Sequence, residues 1–283
     1  MKKLCVVLFL VLLGHTTPRF GVVFQVETTY HSGSGSRAQS SQMSVEGSML
    51  KMEILPGEDA EPGAPNDEVI FRGNRREMVV VDHRNEAYMV IDEAAIEEIG
   101  RQLQQAKRQM DEITKNLTKE QREALERARK QGVSVPGMPG EPATRAPSEF
   151  KNTGERATKQ GYPCVRYDVF RDGQKIRELW VTDAKNIKGG QDVIDVFKEM
   201  ADFYADLLES FGEMVGSEGG FFGAEGDPFE SFTKIDGFPV VTRSFEGGDL
   251  ESETVLESVT ERDLDPDAFE PPKGYRLRTM GPQ

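Results

Sequence analysis

Cysteine is nearly absent. The 283 residues contain two, Cys5 and Cys164, too few and too far apart in sequence for a disulfide framework or a cysteine zinc site. Histidine is as scarce: His15, His31 and His83 are isolated from one another, and none stands in a pattern that activates a nucleophile or binds metal. Gly-x-Ser-x-Gly, His-Glu-x-x-His, the Walker A pattern and Gly-x-Gly-x-x-Gly are all missing. Carboxylate pairs such as Asp265/Asp267 or Asp82/Asp92 carry no weight in a chain with 49 acidic residues. From these absences we assign no catalytic residue, no metal and no cofactor. A hydrolase built on His83 and a facing acid is the one enzymatic reading left open. Positive charge is also in deficit: the net charge of −14 repels phosphate backbones, which excludes nucleic acid as a partner, and disfavours docking to anionic lipid through charge.

Long apolar runs are missing too, except one. Leu4 to Leu13 follows Met1-Lys2-Lys3. Ten residues are too few to span a bilayer but match the core of a secretory signal. The expected signal peptide is residues 1–17, with Gly14, Thr16 and Thr17 as the small residues near its end. His15 stands where a lipoprotein signal would carry cysteine, and Cys5 lies too early. The expectation is an exported protein, periplasmic or secreted, soluble, not lipid-anchored and with no transmembrane segment in the mature chain. Cys164 is then a lone thiol, read as a small buried hydrophobe, with intermolecular pairing as the alternative.

What is present reads as β-structure. Gly161 to Thr182 is a hairpin, because Asp172-Gly173 between β-rich runs supplies two positions that tolerate positive φ. A simple two-residue turn places Asp168 opposite Arg177, Val169 opposite Ile176 and Val165 opposite Trp180. Val165, Tyr167, Val169, Ile176 and Trp180 then share an apolar face on which Glu178 is the misfit, and a bulge would move the whole set. Before it, strands are expected at Val22–Tyr30, Met43–Leu55, Val69–Arg72, Met78–Asp82 and Ala87–Ile91, with Ser/Gly-rich His31–Ser41 a loop. After it, they are expected at Phe238–Phe245, Thr254–Arg262 and Tyr275–Thr279, with a short helical turn from Asp265-Pro266 to Pro271-Pro272.

Helical periodicity appears three times. Asp92 caps a helix to about Asn116 with a narrow apolar stripe. Thr118 with Gln121 forms a capping box that opens a polar second helix ending near Gly132, followed by a proline-rich linker to Ser148. Asp192 to Val215 is a third helix with a wide apolar face, which calls for a groove rather than one flat neighbour. Gly216 to Glu230 is an acidic, Gly-rich flexible loop that carries Phe221 and Phe222.

Two runs carry a family resemblance. Gly161-Tyr162-x-Cys164-x-x-Tyr167-x-Val169 with Trp180-Val181-Thr182, and Leu264-Asp265-x-x-x-Phe269-x-x-Pro272-x-Gly274-Tyr275, resemble an uncharacterised exported bacterial family with a domain of unknown function. That family is similar to the LolA-like group of outer-membrane lipoprotein carriers. The resemblance implies an α+β fold: a curved, incompletely closed antiparallel sheet (a half-barrel) with helices covering its concave face. It extends over residues 21–283 as one domain, with residues 118–148 as a helical, proline-rich insert. Relatives include carriers of acyl chains and regulators that bind other envelope proteins, and no catalytic or ligand-binding residue transfers one-to-one.

Two functions from different classes follow. The first is a non-enzymatic binding protein for an apolar ligand, lipid or lipoprotein. Its cavity would be lined by Phe197, Met200, Tyr204, Leu208, Phe211, Trp180 and Tyr167, with Phe221 and Phe222 as a lid. The second is an interaction module with a filled core that recognises another envelope protein. Simple core packing is the ordinary account of an apolar stripe such as that of the third helix.

Overall fold

In the computed structural model, residues 19–33, 35–57, 67–118, 121, 147–211 and 230–279 are described. The strands are β1 (Arg19–Ser32), β2 (Gly35–Glu46), β3 (Met49–Ile54), β4 (Asp67–Arg72), β5 (Glu77–Asp82), β6 (Ala87–Ile91), β7 (Glu149–Lys159), β8 (Tyr162–Arg171), β9 (Gln174–Thr182), β10 (Phe238–Glu246), β11 (Asp249–Leu264) and β12 (Arg276–Arg278). They form a 12-stranded sheet in the order β12-β6-β5-β4-β3-β2-β1-β11-β10-β9-β8-β7. Every pairing is antiparallel except β12 with β6, and β12 and β7 remain as edges, so the curved sheet is open. The helices are α1 (Glu93–Lys115), α2 (Gly190–Phe211) and α3 (Glu230–Lys234).

Two cross-strand rows make the core possible. Val22, Val45, Leu50, Phe71, Met78 and Ile91 stand directly opposite one another across six strands. Two residues along, Phe24, Met43, Met52, Val69, Val80 and Met89 form the next row on the same face. On α2, Val193, Val196, Phe197, Met200 and Phe203 recur at helical spacing and join these rows in one buried cluster. Phe203 meets Phe71 with ring centroids 5.9 Å apart. The entry to α2 is equally tight: Gly189 has φ of +62°, and a Cβ there would lie 2.6 Å from Val22. On the opposite face, Val23, Ile70, Val79 and Val81 pack against Leu264 and Phe269 of the segment that returns to β12. Arg72, buried at 5% exposure, ties that segment down through Glu270.

Several sequence expectations need correction. His31–Ser41 is not a loop: β1 and β2 run on as a paired ribbon to Ser32↔Gly35. Met43–Leu55 is two strands, reversed at Gly47 with φ of +57°. β7, too polar to be recognised as a strand, is an edge of the sheet. The short turn expected after Asp265 is present, with Ala268 N–H donating to Asp265 C=O and Glu270 N–H to Asp267 C=O.

The hairpin tip forms as expected, with Asp172 and Gly173 at φ of +50° and +75° and Arg171 opposite Gln174. Between Val169 and Phe170 the register shifts, so Val169 faces Arg177 and Arg166 faces Trp180. Trp180 therefore lies on the face opposite Leu179, Tyr167 and Val169 rather than beside them. At the helices, Asp92 caps α1 by accepting from Ala95 N–H at 2.8 Å. Thr118 and Gln121 form the reciprocal capping box at 2.9 and 3.3 Å. The rest of the second helix lies outside the described residues, as do Phe221 and Phe222.

Phe203→Ala removes the ring that joins α2 to the row at Phe71. It should lower stability by about 3–5 kcal/mol, read as a shift in the urea unfolding midpoint. An unchanged midpoint would show that α2 does not clamp the sheet.

Candidate functional site

Beyond α2, the sheet face changes character in steps of two residues. After Phe24 come Val26 and Leu256, directly paired. Next come Thr28, Thr254 and Thr242, in line across β1, β11 and β10, with Thr28 and Thr254 hydrogen-bonded hydroxyl to hydroxyl at 2.9 Å. The outermost row is Tyr30, Ser252, Ser244 and Arg177. At roughly 3.4 Å per residue, Phe24 to Tyr30 covers about 20 Å, over which apolar side chains give way to hydroxyls.

One wall of this face is aromatic. Phe197 of α2 stacks on Phe232 of α3 with centroids 4.3 Å apart and planes at 13°. Phe232 meets Phe238 edge-on at 6.3 Å, and behind the wall Phe238 stacks on the fully buried Phe24 at 5.6 Å. Between this wall and the Thr rows lies an open cleft of about 510 Å³, within the range of about 300–1,000 Å³ for small-molecule sites. Apolar surface at one end and hydroxyls at the other suit a ligand that is itself amphipathic.

The expected lining residues separate. Phe197 lines the cleft. Met200 is 1% exposed and belongs to the filled core beneath α2, while Tyr204 is half-buried against that core. Tyr167 lies on the cleft face at the end of the row Thr242–Leu179–Tyr167, its hydroxyl accepting from Asn152 at 3.1 Å. Leu208 and Phe211 lie on α2, but their side chains are outside the described residues. Phe232 and Phe238 were missed: α3 spans five residues, too few for periodicity to show, and Phe238 read only as a strand residue. The signal available was Asp227-Pro228 ahead of Glu230, a helix-start pattern.

Trp180 lies on the far face within a charge ladder. Its indole N–H donates to Glu178 at 3.1 Å, and Lys159 sits 4.5 Å over its ring. Asp168, Glu178, Arg243 and Glu253 stand in one cross-strand row. Lys175 bridges Asp168 at 2.9 Å and Glu178 at 2.7 Å. Burial raises the pKa of Glu178, but Lys175, Trp180 and Arg243 outweigh it and hold the carboxyl below its ordinary value. Cys164 is 3% exposed, and burial pushes its thiol pKa up, which suits a structural thiol rather than a nucleophile.

His83 does meet an acid. Its Nε2 lies 3.1 Å from Glu68 and its Nδ1 2.9 Å from the Tyr275 hydroxyl, but none of the three lines the cleft. No group of three or more potential metal-ligating side chains converges among the described residues. Among the same residues, no helix is long and apolar enough to cross a membrane.

No family model matches the chain, and no curated protein matches it. Solved structures give distant likenesses. An uncharacterised conserved protein from Thermus thermophilus aligns at a TM-score of 0.41 and 6% identity, over 90% of this chain and 89% of that one. PNGF-II aligns at 0.37 and 10%, over 91% of this chain but 30% of its own. The MucA/MucB complex of Pseudomonas aeruginosa aligns at 0.32 and 10%, over 88% of this chain and 55% of the other. At TM-scores below 0.5, these likenesses fix neither family nor function. What stands is a mostly antiparallel open sheet with an amphipathic cleft.

Glu178→Gln probes the ladder on the far face. A depressed folded-state pKa contributes stability that is present above the unfolded glutamate value near 4.3 and lost as pH falls through the lower folded value. The stability advantage of the native protein over Glu178→Gln should therefore be full at neutral pH and shrink below about pH 4. Urea midpoints measured across that range check it, and a gap that stays constant would contradict it.

Proposed function

We propose that this chain is an exported, non-enzymatic binding protein of LolA-like architecture whose cleft holds the apolar part of an amphipathic ligand. The observation that carries the reading is the aromatic wall of Phe197, Phe232 and Phe238 beside a cleft of about 510 Å³ that grades into hydroxyls. A purely structural sheet has no need of an open aromatic cleft at the end of a filled core. The basic start and apolar run of Met1 to Leu13 support export. The open sheet and the two residue runs at Gly161 and Leu264 support the LolA-like reading.

One observation favours a second reading, an interaction module for another envelope protein. Val193, Val196, Met200 and Phe203 are 2% exposed or less, so the space beneath this part of α2 is occupied by the protein's own side chains. A ligand would have to bind beside α2, in the open cleft, rather than under it.

Nile red, a neutral dye that brightens in apolar surroundings, tests the binding reading without presupposing a head group. The protein should bind it with a blue-shifted emission, and Phe232→Ala should weaken that binding about tenfold. Phe232 is only partly buried, so thermal unfolding of the variant should change little. Absence of dye binding, with no lipid extractable from the purified protein, would overturn the carrier reading in favour of the module.

A further inference from the structure

The cleft has two ends, and the polar end has a definite chemistry. Its polar lining is almost wholly neutral: Thr28, Thr242, Thr254, Ser244, Ser252 and the Tyr30 hydroxyl. Arg177 and Glu251 are the one cation and one anion among the described lining residues. Their formal charges cancel, and both are already engaged in contacts of their own. An anionic head would lose water and gain no unengaged cation, a costly exchange for a carboxylate or phosphate. It would also approach a chain of net charge −14.

The opposite face of the same strands shows that this neutrality is a feature of the cleft. There, Glu178, Arg243 and Glu253 occupy the row whose neighbours along each strand are Leu179, Thr242 and Thr254. Side chains alternate between faces, so at this row each strand directs a charge away from the cleft and a neutral residue toward it. Hydroxyls both donate and accept, which fits a ligand that presents hydroxyl or ester oxygens.

Resting on the binding reading above, we infer that the cleft selects a free, single-chain amphiphile with an uncharged, hydroxyl-bearing head, of the monoacylglycerol type. The acyl chain lies along Phe197, Phe232, Phe238, Val26 and Leu256. The glyceryl hydroxyls reach the Thr and Ser rows, within the span of about 14 Å from Val26 to Tyr30.

Displacement of bound Nile red by monolauroylglycerol and by laurate, at about pH 8 where laurate is ionised, tests this directly. Both carry the same chain, so the head alone separates them. Monolauroylglycerol should displace the dye at a concentration at least about tenfold lower. Thr242→Val with Ser244→Ala should weaken monolauroylglycerol about three- to tenfold per hydroxyl removed, while Nile red affinity stays unchanged and so shows the cleft intact. If laurate displaces as well or better, or the double variant leaves monolauroylglycerol affinity unaltered, the neutral-head inference fails and the binding reading survives. If Nile red itself does not bind, the binding reading fails first.

Discussion

The structure depends on the contact between α2 and two apolar rows of the sheet. The row from Val22 to Ile91 draws one residue from each of six successive strands in space. Sheet hydrogen bonds alone would not keep these strands in register against slippage by one residue, which would turn every apolar side chain to the wrong face. Burial beneath Val193, Val196, Met200 and Phe203 supplies the penalty for slipping, at about 1.5–3 kcal/mol for each large apolar side chain buried. On the other face, Phe269 and the Arg72–Glu270 pair fasten the returning C-terminal segment. This half of the sheet is thus held from both sides.

The cleft exists because that clamp ends before the strands do. β1, β2 and β11 are 14, 12 and 16 residues long, and α2 packs on the rows through Val22 and Phe24. The strands continue to Ser32 and back from Gly35. Phe197 and Phe232 stand where helical cover stops, so their stacked rings close the core on one side and wall the cleft on the other. The rows beyond exchange Phe for Val and Leu, then for Thr, as helical cover is lost. The neighbouring strands β8 and β9 are secured differently, by Val169, Leu179 and Val181 packed under Ile235 at the end of α3. Both helices bear on the cleft, where Phe197 of α2 and Phe232 of α3 stack in its one aromatic wall.

Much of this was legible in the sequence. The stripe of α2 gave itself away by spacing, and Asp172-Gly173 by its demand for positive φ. The Asp92 cap and the Thr118–Gln121 box could be read residue by residue. What stayed hidden has physical causes. The bulge at Val169/Phe170 changes the face of Trp180, and nothing in Ile176-Arg177 reveals which of two registers wins. Tertiary context decides, since the far-face register lets Glu178 gather Lys175, Arg243 and the Trp180 N–H. β7 and the outer ribbon of β1 and β2 are mostly polar or small residues because one lies at an edge and the other beyond the core, so neither shows apolar alternation. The aromatic wall was illegible because it is assembled from three elements, none of which shows more than one of its rings as exceptional.

The contrast between the two faces of β9, β10 and β11 is the strongest argument that the cleft is more than leftover surface. A solvated strand face ordinarily gathers Lys, Glu, Arg and Asp, which are the residues most often exposed. The far face follows that rule in one row, with Asp168, Glu178, Arg243 and Glu253 paired across the strands beside the buried Trp180 and Val241. The cleft face breaks it with threonine, serine and a single cancelling pair of charges, although solvent reaches both. Solubility alone would place charges on either face, and core packing alone would have continued Phe and Leu to the strand ends. A neutral, hydrogen-bonding surface adjoining an aromatic wall satisfies neither need. It is the composition expected where water is displaced by something part apolar and part polar, and where an unpaired charge would obstruct that exchange.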